Sequence, residues 1–164
     1  MINTICKIKE YFSQKDFANV QGNENEIVDE LYAFDESIME KLTDKKLGTQ
    51  HCMSERTVHY KNEYHDEDVK LFQLTWVGEL GGIGKIKKIT EDLCNECFEC
   101  EDLQLRPAYV YQVVPAIELG INGNRFVAGG LVRTELLNKY GIDFEKNTVY
   151  SMIFVEKKCE TLIK

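Results

Sequence analysis

The chain has 164 residues and carries 28 Asp and Glu against 20 Lys and Arg, which gives a formal net charge of −8 at neutral pH. Its 43% hydrophobic residues and only 2 prolines can supply one hydrophobic core, and they exclude a disordered, collagen-like or coiled-coil protein. We therefore expect a single globular domain over residues 1–164. We do not expect nucleic acid as a partner, because surfaces that bind phosphates need clustered Lys and Arg.

The N-terminal part, residues 1–48, is predicted to be a pair of helices. In the first, Asn3 to Phe12, one side carries the apolar residues Ile5, Ile8 and Phe12. In the second, Asn25 to Leu42, apolar residues recur at a helical spacing, at Ile27, Leu31, Phe34, Ile38 and Leu42. Asn25 is placed to cap this second helix, and Gly48 is placed to end it.

From residue 49 to residue 164 the chain is predicted to be mainly β. Polar and apolar residues alternate from Thr57 to His65, which indicates a half-buried strand. The polar tetrad His65–Asp68 is predicted to turn the chain into a central strand over Val69–Val77. A glycine-rich loop then leads to a short helix over Glu91–Leu103, with Thr90 as its N-cap.

The last third of the chain predicts further strands and one more helix. Tyr109–Leu119 is rich in β-forming residues, although Pro115 removes one ladder donor. Asn122-Gly123 is a strong hairpin signal that leads into Arg125–Ala128.

Two signals complete the predicted fold. Thr134 opens a short helix that Gly141 ends, and Val149–Val155 is apolar on both faces, as in a central strand. The fold class is therefore α+β: an N-terminal helical pair packed on a mostly antiparallel sheet, with one or two further short helices.

Three cysteines at two-residue spacing, Cys94, Cys97 and Cys100, resemble part of a zinc site. A fourth ligand would have to come from Cys52, His51 or Cys159. Along a helix, however, Cys94 and Cys100 would lie about 9 Å apart, too far for one ion. The local signals favour a helix, so we expect the thiols to be packed apolar groups and expect no cofactor, with zinc as the alternative.

The alternation of the first strand places His59, Lys61, Glu63 and His65 on one face. An imidazole, a carboxylate and a cation in line could perform acid–base chemistry, so His59, Glu63 and His65 are the candidates if the protein is an enzyme or a small-molecule binder. The solvated face of an antiparallel sheet has the same composition, and we favour that interpretation.

Since no complete catalytic motif is present, the sequence favours a small acidic, non-enzymatic domain that binds another protein as an inhibitor, immunity-type or regulatory partner. The candidate contacts are carboxylates in two groups: Asp66, Glu67, Asp68, Glu96, Glu99, Glu101 and Asp102. Tyrosines in strand candidates, such as Tyr109 and Tyr111, suit contact surfaces as well as cores.

The sequence contains no run that would act as a signal peptide or a membrane helix. Met1 to Phe12 is interrupted by Lys7, Lys9 and Glu10. No stretch approaches the roughly 18 uninterrupted apolar residues that a membrane helix needs. We therefore expect no membrane association and a cytoplasmic location, where the six cysteines stay reduced.

Overall fold

The computed structural model describes residues 4–44, 50–98 and 102–162. Helices and strands follow along the chain in the order α1 (Thr4–Ser13), β1 (Ala18–Asn19), β2 (Ile27–Val28), α2 (Ile38–Leu42), β3 (His51–Lys61), β4 (Asp66–Glu79), α3 (Gly84–Cys97), β5 (Leu103–Val110), β6 (Val113–Ile121), β7 (Asn124–Val132), α4 (Thr134–Lys139), β8 (Asn147–Val155) and α5 (Glu156–Cys159). None of the described helices is long and apolar enough to cross a membrane.

The eight strands of the described residues form one sheet in the order β1-β3-β4-β8-β7-β6-β5, with β2 also paired to β3. The short strands β1 and β2 run parallel to β3, and every other pairing is antiparallel. The predicted α+β class with a mostly antiparallel sheet is therefore confirmed. Val69–Val77 lies within the central strand β4, and Val149–Val155 lies within the central strand β8, as predicted.

The two faces of the sheet are covered differently. On one face, which we call the helical face, α1, α3 and α5 pack on large apolar side chains such as Phe72 and Phe154. On the opposite face, which we call the covered face, the sheet is overlaid by α4 and by residues 20–42, which we call the covering segment. These elements pack on two apolar clusters that contain residues such as Val69 and Val77. Both faces are thus buried, which is why the central strands are apolar on both sides.

The predicted helix over Asn25–Leu42 is wrong: only Ile38–Leu42 is helical. Ile27 and Val28 instead pair with β3, and Asn25 has a positive φ rather than the conformation of an N-cap. The physical cause is Arg56 of β3, whose guanidinium donates hydrogen bonds to the backbone carbonyls of residues 23 and 33. This long-range contact holds the segment extended, and no local pattern reveals it. The proposed end of this helix at Gly48 lies outside the described residues.

Several local predictions are confirmed. The helix over Asn3–Phe12 corresponds to α1, whose buried residues are Ile5, Ile8 and Phe12. Asn122 and Gly123 both have positive φ and connect β6 to β7, as the hairpin signal requires. Gly141 has a φ of +73°, the left-handed conformation expected just after α4.

Other boundaries differ from the prediction. The first long strand is His51–Lys61, and the chain turns at residues 62–65, so Asp66 to Asp68 already belong to β4. α3 begins at Gly84, and Thr90 lies inside it, where its hydroxyl donates to the Ile86 carbonyl at 2.8 Å. The predicted strand Tyr109–Leu119 is two strands, because Gln112 turns the chain with a φ of +73°.

Candidate functional site

The residues of the predicted catalytic row do not lie together on one strand. His59 is on β3, Lys61 is its last residue, and Glu63 and His65 lie in the turn that follows. The His65 ring stacks on Tyr60, with ring centroids 4.6 Å apart. The prediction that the strand continues to His65 is wrong, because β3 ends at Lys61. A catalytic role of His59, Glu63 and His65 stays a prediction.

The predicted contact residues Asp66, Glu67 and Asp68 lie in the hairpin of β3 and β4, which we call the acidic hairpin. Each of these three carboxylates has a cationic or ionisable neighbour. The His59 ring lies between Asp66, at 2.6 Å from Nε2, and Asp68, at 3.0 Å from Nδ1. Hydrogen bonds to Asp68 and Asp66 raise the pKa of His59. Glu67 is paired with Lys157 at 2.5 Å. Much of the charge of this hairpin is therefore balanced within the chain.

The cysteine cluster lies at the end of α3. Cys94 is fully buried in the core of the helical face, beside Phe98, and Cys97 is half-buried. Cys100, Glu99 and Glu101 lie outside the described residues, whereas Glu96 and Asp102 are exposed. Among residues 4–44, 50–98 and 102–162, no group of three or more His, Cys, Asp or Glu could hold a metal ion.

The middle of the covered face is polar, although it is buried. One row of side chains crosses three strands, Ser54 and Arg56 on β3, Gln73 and Thr75 on β4, and Ser151 on β8, each at most 3% exposed. Three of these side chains bind one another: Gln73 Nε2 donates to Thr75 Oγ1 at 2.9 Å, and the Thr75 and Ser151 hydroxyls are 3.3 Å apart. Hydrogen bonding of this kind is what makes burial of polar groups tolerable.

Asp35 of the covering segment closes this row from above. Its carboxylate is 2% exposed and accepts hydrogen bonds from the Asn23 and Ser37 backbone amides and from the Ser37 hydroxyl. Its backbone N–H donates to Gln73 Oε1 at 2.8 Å, and Arg56 Nε lies 3.9 Å from the carboxylate. The chain itself therefore occupies the polar centre of the covered face.

A cleft of about 300 Å³ is open beside this closed region. Residues 26–34 of the covering segment form one wall, and Tyr109 and Tyr111, at the end of β5 and in the following turn, form the other. Both tyrosines are more than 60% exposed, and Ile27 is 72% exposed. We call this feature the acidic cleft, because its lining includes Glu26, Asp29 and Glu30.

The end of β5, the strand at this edge of the sheet, brings Tyr109 to the cleft. The pairing of β5 with β6 shifts register between Ala108 and Val110, because β6 has one residue more than β5 there. Ala108 and Val110 pack on the covered face, whereas Tyr109 and Tyr111 are exposed and line the cleft. At the base of the cleft, the Tyr32 ring packs in the core, and burial together with the Glu118 charge raises the pKa of its hydroxyl.

Two carboxylates of the acidic cleft carry uncompensated charge. Among the described residues, neither Asp29 nor Glu30 forms an ion pair, in contrast to the carboxylates of the hairpin. Partial burial and the neighbouring charge of Asp29 raise the pKa of Glu30. The site therefore holds like charges together beside aromatic rings, an environment that a bound cation would stabilise.

The sequence prediction did not include these residues, although a signal was present. Between Lys15 and Lys41 the chain has no Lys or Arg and carries eight carboxylates, Asp16, Glu24, Glu26, Asp29, Glu30, Asp35, Glu36 and Glu40. The helical interpretation would have spread these charges around a helix surface. In the structure an extended segment brings part of them beside Tyr109 and Tyr111.

Comparison with known proteins finds a structure of similar fold and assigns the chain to no family. No family model matches the chain, and no curated protein is significantly similar to it. A similar solved structure is the crystal structure of pyrrolysyl-tRNA synthetase from Desulfitobacterium hafniense, with a TM-score of 0.62 and 12% sequence identity. The similarity covers 95% of this chain and 66% of the synthetase chain. The two proteins therefore share the arrangement of the sheet and its helices.

Proposed function

We propose that this chain is a non-enzymatic, cytoplasmic protein-interaction domain that binds a basic segment of another protein in the acidic cleft. The observation that carries the proposal is the pair Asp29 and Glu30, two adjacent carboxylates without an ion-pair partner among the described residues, next to the exposed rings of Tyr109 and Tyr111. An Arg or Lys side chain would compensate the carboxylates and could stack on the tyrosine rings.

The covered face supports a binding role over an enzymatic one. Its buried polar groups, from Arg56 to Ser151, already have hydrogen-bond partners within the chain, and the covering segment lies over them. A substrate that reached Gln73 would first have to displace Asp35 and break both hydrogen bonds between these two residues. The exposed features of this side are instead the cleft and its rim, which suit a partner that docks from outside.

The experiment uses short end-blocked peptides that carry two arginines, two lysines or two glutamates in the same glycine–serine background. We expect the arginine peptide to bind best and the glutamate peptide not to bind, with affinity decreasing as salt increases. The double variant Asp29→Asn/Glu30→Gln should weaken the arginine peptide about tenfold. Isothermal calorimetry gives the affinities, and amide chemical-shift changes locate the site.

A matched control is the double variant Asp66→Asn/Asp68→Asn, which removes two carboxylates that already neighbour His59. We expect this variant to bind the arginine peptide like the unmodified protein. A loss of binding confined to the control would place the site on the hairpin and contradict the cleft. Binding of tRNA that is tighter than that of the arginine peptide and persists in the cleft variant would contradict a protein partner.

A further inference from the structure

A second cleft, of about 250 Å³, lies on the helical face where α1 and α3 meet the edge of the sheet. Five aromatic rings line it: Tyr11, Phe12, Phe17, His51 and Trp76. We call it the aromatic cleft. It is separate from the acidic cleft, which lies on the covered face, and the proposed function does not use it.

The rings form a continuous wall. Phe17 makes edge contacts with Phe12, His51 and Trp76, with ring centroids 5.4, 5.1 and 5.7 Å apart. Trp76 is 5% exposed and stacks on Tyr150 behind it, so the wall is fixed by the core. Tyr11, Phe17 and His51 are half-buried and reach the opening. Burial also lowers the pKa of His51, which favours a neutral ring there.

Two opposite charges complete the lining, Lys15 and Asp92. The Lys15 ammonium lies 5.3 Å from the centroid of the Tyr11 ring, and among the described residues it has no carboxylate partner. Asp92 comes from α3, where Lys88 lies 3.0 Å from its carboxylate. The cleft thus offers a cation from the turn after α1 and a carboxylate from α3 beside its aromatic rings.

We propose that the aromatic cleft binds a free aromatic α-amino acid. The ring of the ligand packs against Phe17 and Trp76, its carboxylate pairs with Lys15, and its ammonium pairs with Asp92. The volume fits one ring with a short side chain, and the opposite charges of the lining match a zwitterion better than an acid or an amine alone.

The test is a titration with phenylalanine, with hydrocinnamate, which lacks the ammonium, with phenethylamine, which lacks the carboxylate, and with alanine, which lacks the ring. Trp76 is the one tryptophan of the chain, so its fluorescence reports binding directly. We expect phenylalanine to bind with a dissociation constant of about 1 mM. Hydrocinnamate and phenethylamine should each bind about tenfold more weakly, and alanine should cause no saturable change.

Two variants assign the charges. In Lys15→Ala, phenylalanine should bind only as well as phenethylamine, whose own affinity should not change. In Asp92→Asn, phenylalanine should bind only as well as hydrocinnamate. Lys139→Ala is the control, because Lys139 also lies over a tyrosine ring, 5.5 Å from the centroid of Tyr140, but outside this cleft.

Three results of the titration, and a fourth from a variant of Phe17, would overturn the proposal. The first is equal binding of the three ring compounds, which would mean that the charges play no part. The second is binding of alanine as tight as that of phenylalanine, and the third is no change in Trp76 emission with any ring compound. Phe17→Leu, which keeps an apolar side chain, should weaken all ring compounds together, and unchanged affinity in this variant would also contradict the site.

Discussion

The conformation of the covering segment depends most on Asp35 and its carboxylate. It is buried beside the equally buried Arg56, and its oxygens accept three hydrogen bonds from residues of its own segment. A buried carboxylate is tolerated only when such partners compensate the loss of water. The carboxylate therefore fixes the turn before α2 and lies beside Arg56 of β3, while the backbone N–H of Asp35 anchors the same turn to Gln73 of β4.

Asp35→Ala should lower the free energy of unfolding by about 2–3 kcal/mol, because it leaves the backbone amides of Asn23 and Ser37 without their acceptor. It also removes one of the two carboxylates near Arg56, which keeps Glu26 at 3.0 Å. Urea unfolding measures this loss. The adjacent Glu36 is a suitable control, since it is part-exposed and pairs with Lys139 at the surface. Glu36→Ala should cost about 1 kcal/mol or less, and a loss as large as that of Asp35→Ala would contradict the special role of the buried carboxylate.

His59 is a second residue whose environment gives a measurable expectation. Because hydrogen bonds to Asp68 and Asp66 raise its pKa, NMR titration should place this pKa above the ordinary value of 6.5. The stabilisation that the charged His59 ring gives to the folded protein is fully present below pH 6.5. It is lost as the pH rises through the pKa that His59 has in the folded state. Asp68→Asn should return the pKa of His59 toward 6.5, and an unchanged value would show that the pairing is not formed in solution.

At the scale of elements, the sequence predicted those elements that local signals determine. The amphipathic pattern of α1, the Asn122-Gly123 turn and the apolar run of β8 each depend on neighbours in the chain. The segment from Asn25 to Leu42 failed because its conformation depends on Arg56, more than twenty residues away from both carbonyls that it binds. The N-cap assigned to Thr90 failed because a threonine hydroxyl can also bond the carbonyl four residues earlier within a helix.

The candidate site shows the same limit. The run of acids in the covering segment can be read directly from the sequence, as can the tyrosines at positions 109 and 111. Their proximity requires the extended course of the segment, which is set by contacts distant in sequence. Residue types could therefore be predicted, whereas the cleft that they form could not.

The packing of β6 against β7 gives a prediction at this scale. A Cβ atom on Gly130 would overlap the carbonyl oxygen of Pro115 on the neighbouring strand, because the two backbones approach closely there. Gly130→Ala should therefore lower the free energy of unfolding by about 3 kcal/mol, measured by urea unfolding. Gly82→Ala is the control, since a Cβ there meets nothing within 4 Å, and equal losses in the two variants would contradict this packing argument.

For the whole molecule, the net charge has a single source. The chain has 28 carboxylates, of which eight lie between Lys15 and Lys41, so the rest of the chain has 28 − 8 = 20 carboxylates against 20 Lys and Arg. The net charge of −8 therefore comes from residues 16–40, which are part of the covering segment and the residues just before it. The rest of the chain has equal numbers of acidic and basic side chains. A long-range field from one side of the molecule would steer a basic partner toward the acidic cleft.

The same charges determine how stability should vary with pH. Burial is the main reason that the pKa values of Glu30 and Glu156 are raised, so the folded state binds these protons more tightly than the unfolded state. The free energy of unfolding therefore increases as the pH falls from neutral toward the pKa values that these two groups have in the folded state. In contrast, hydrogen bonds to lysines lower the pKa values of Glu36, Glu55 and Glu67, and that stabilisation is lost when the pH falls below 4.5.

The melting temperature should therefore be highest at about pH 5 to 6, on the acidic side of neutrality. The double variant Glu30→Gln/Glu156→Gln removes the two groups with raised pKa values, so it should melt higher than the unmodified protein at pH 7. Its maximum should also move toward neutral pH, because the opposing loss below 4.5 remains. Differential scanning calorimetry across this range tests both points. A double variant that melts lower at pH 7 would show that these carboxylates stabilise the fold. That result would also contradict the interpretation of Glu30 as an uncompensated charge that a basic partner binds.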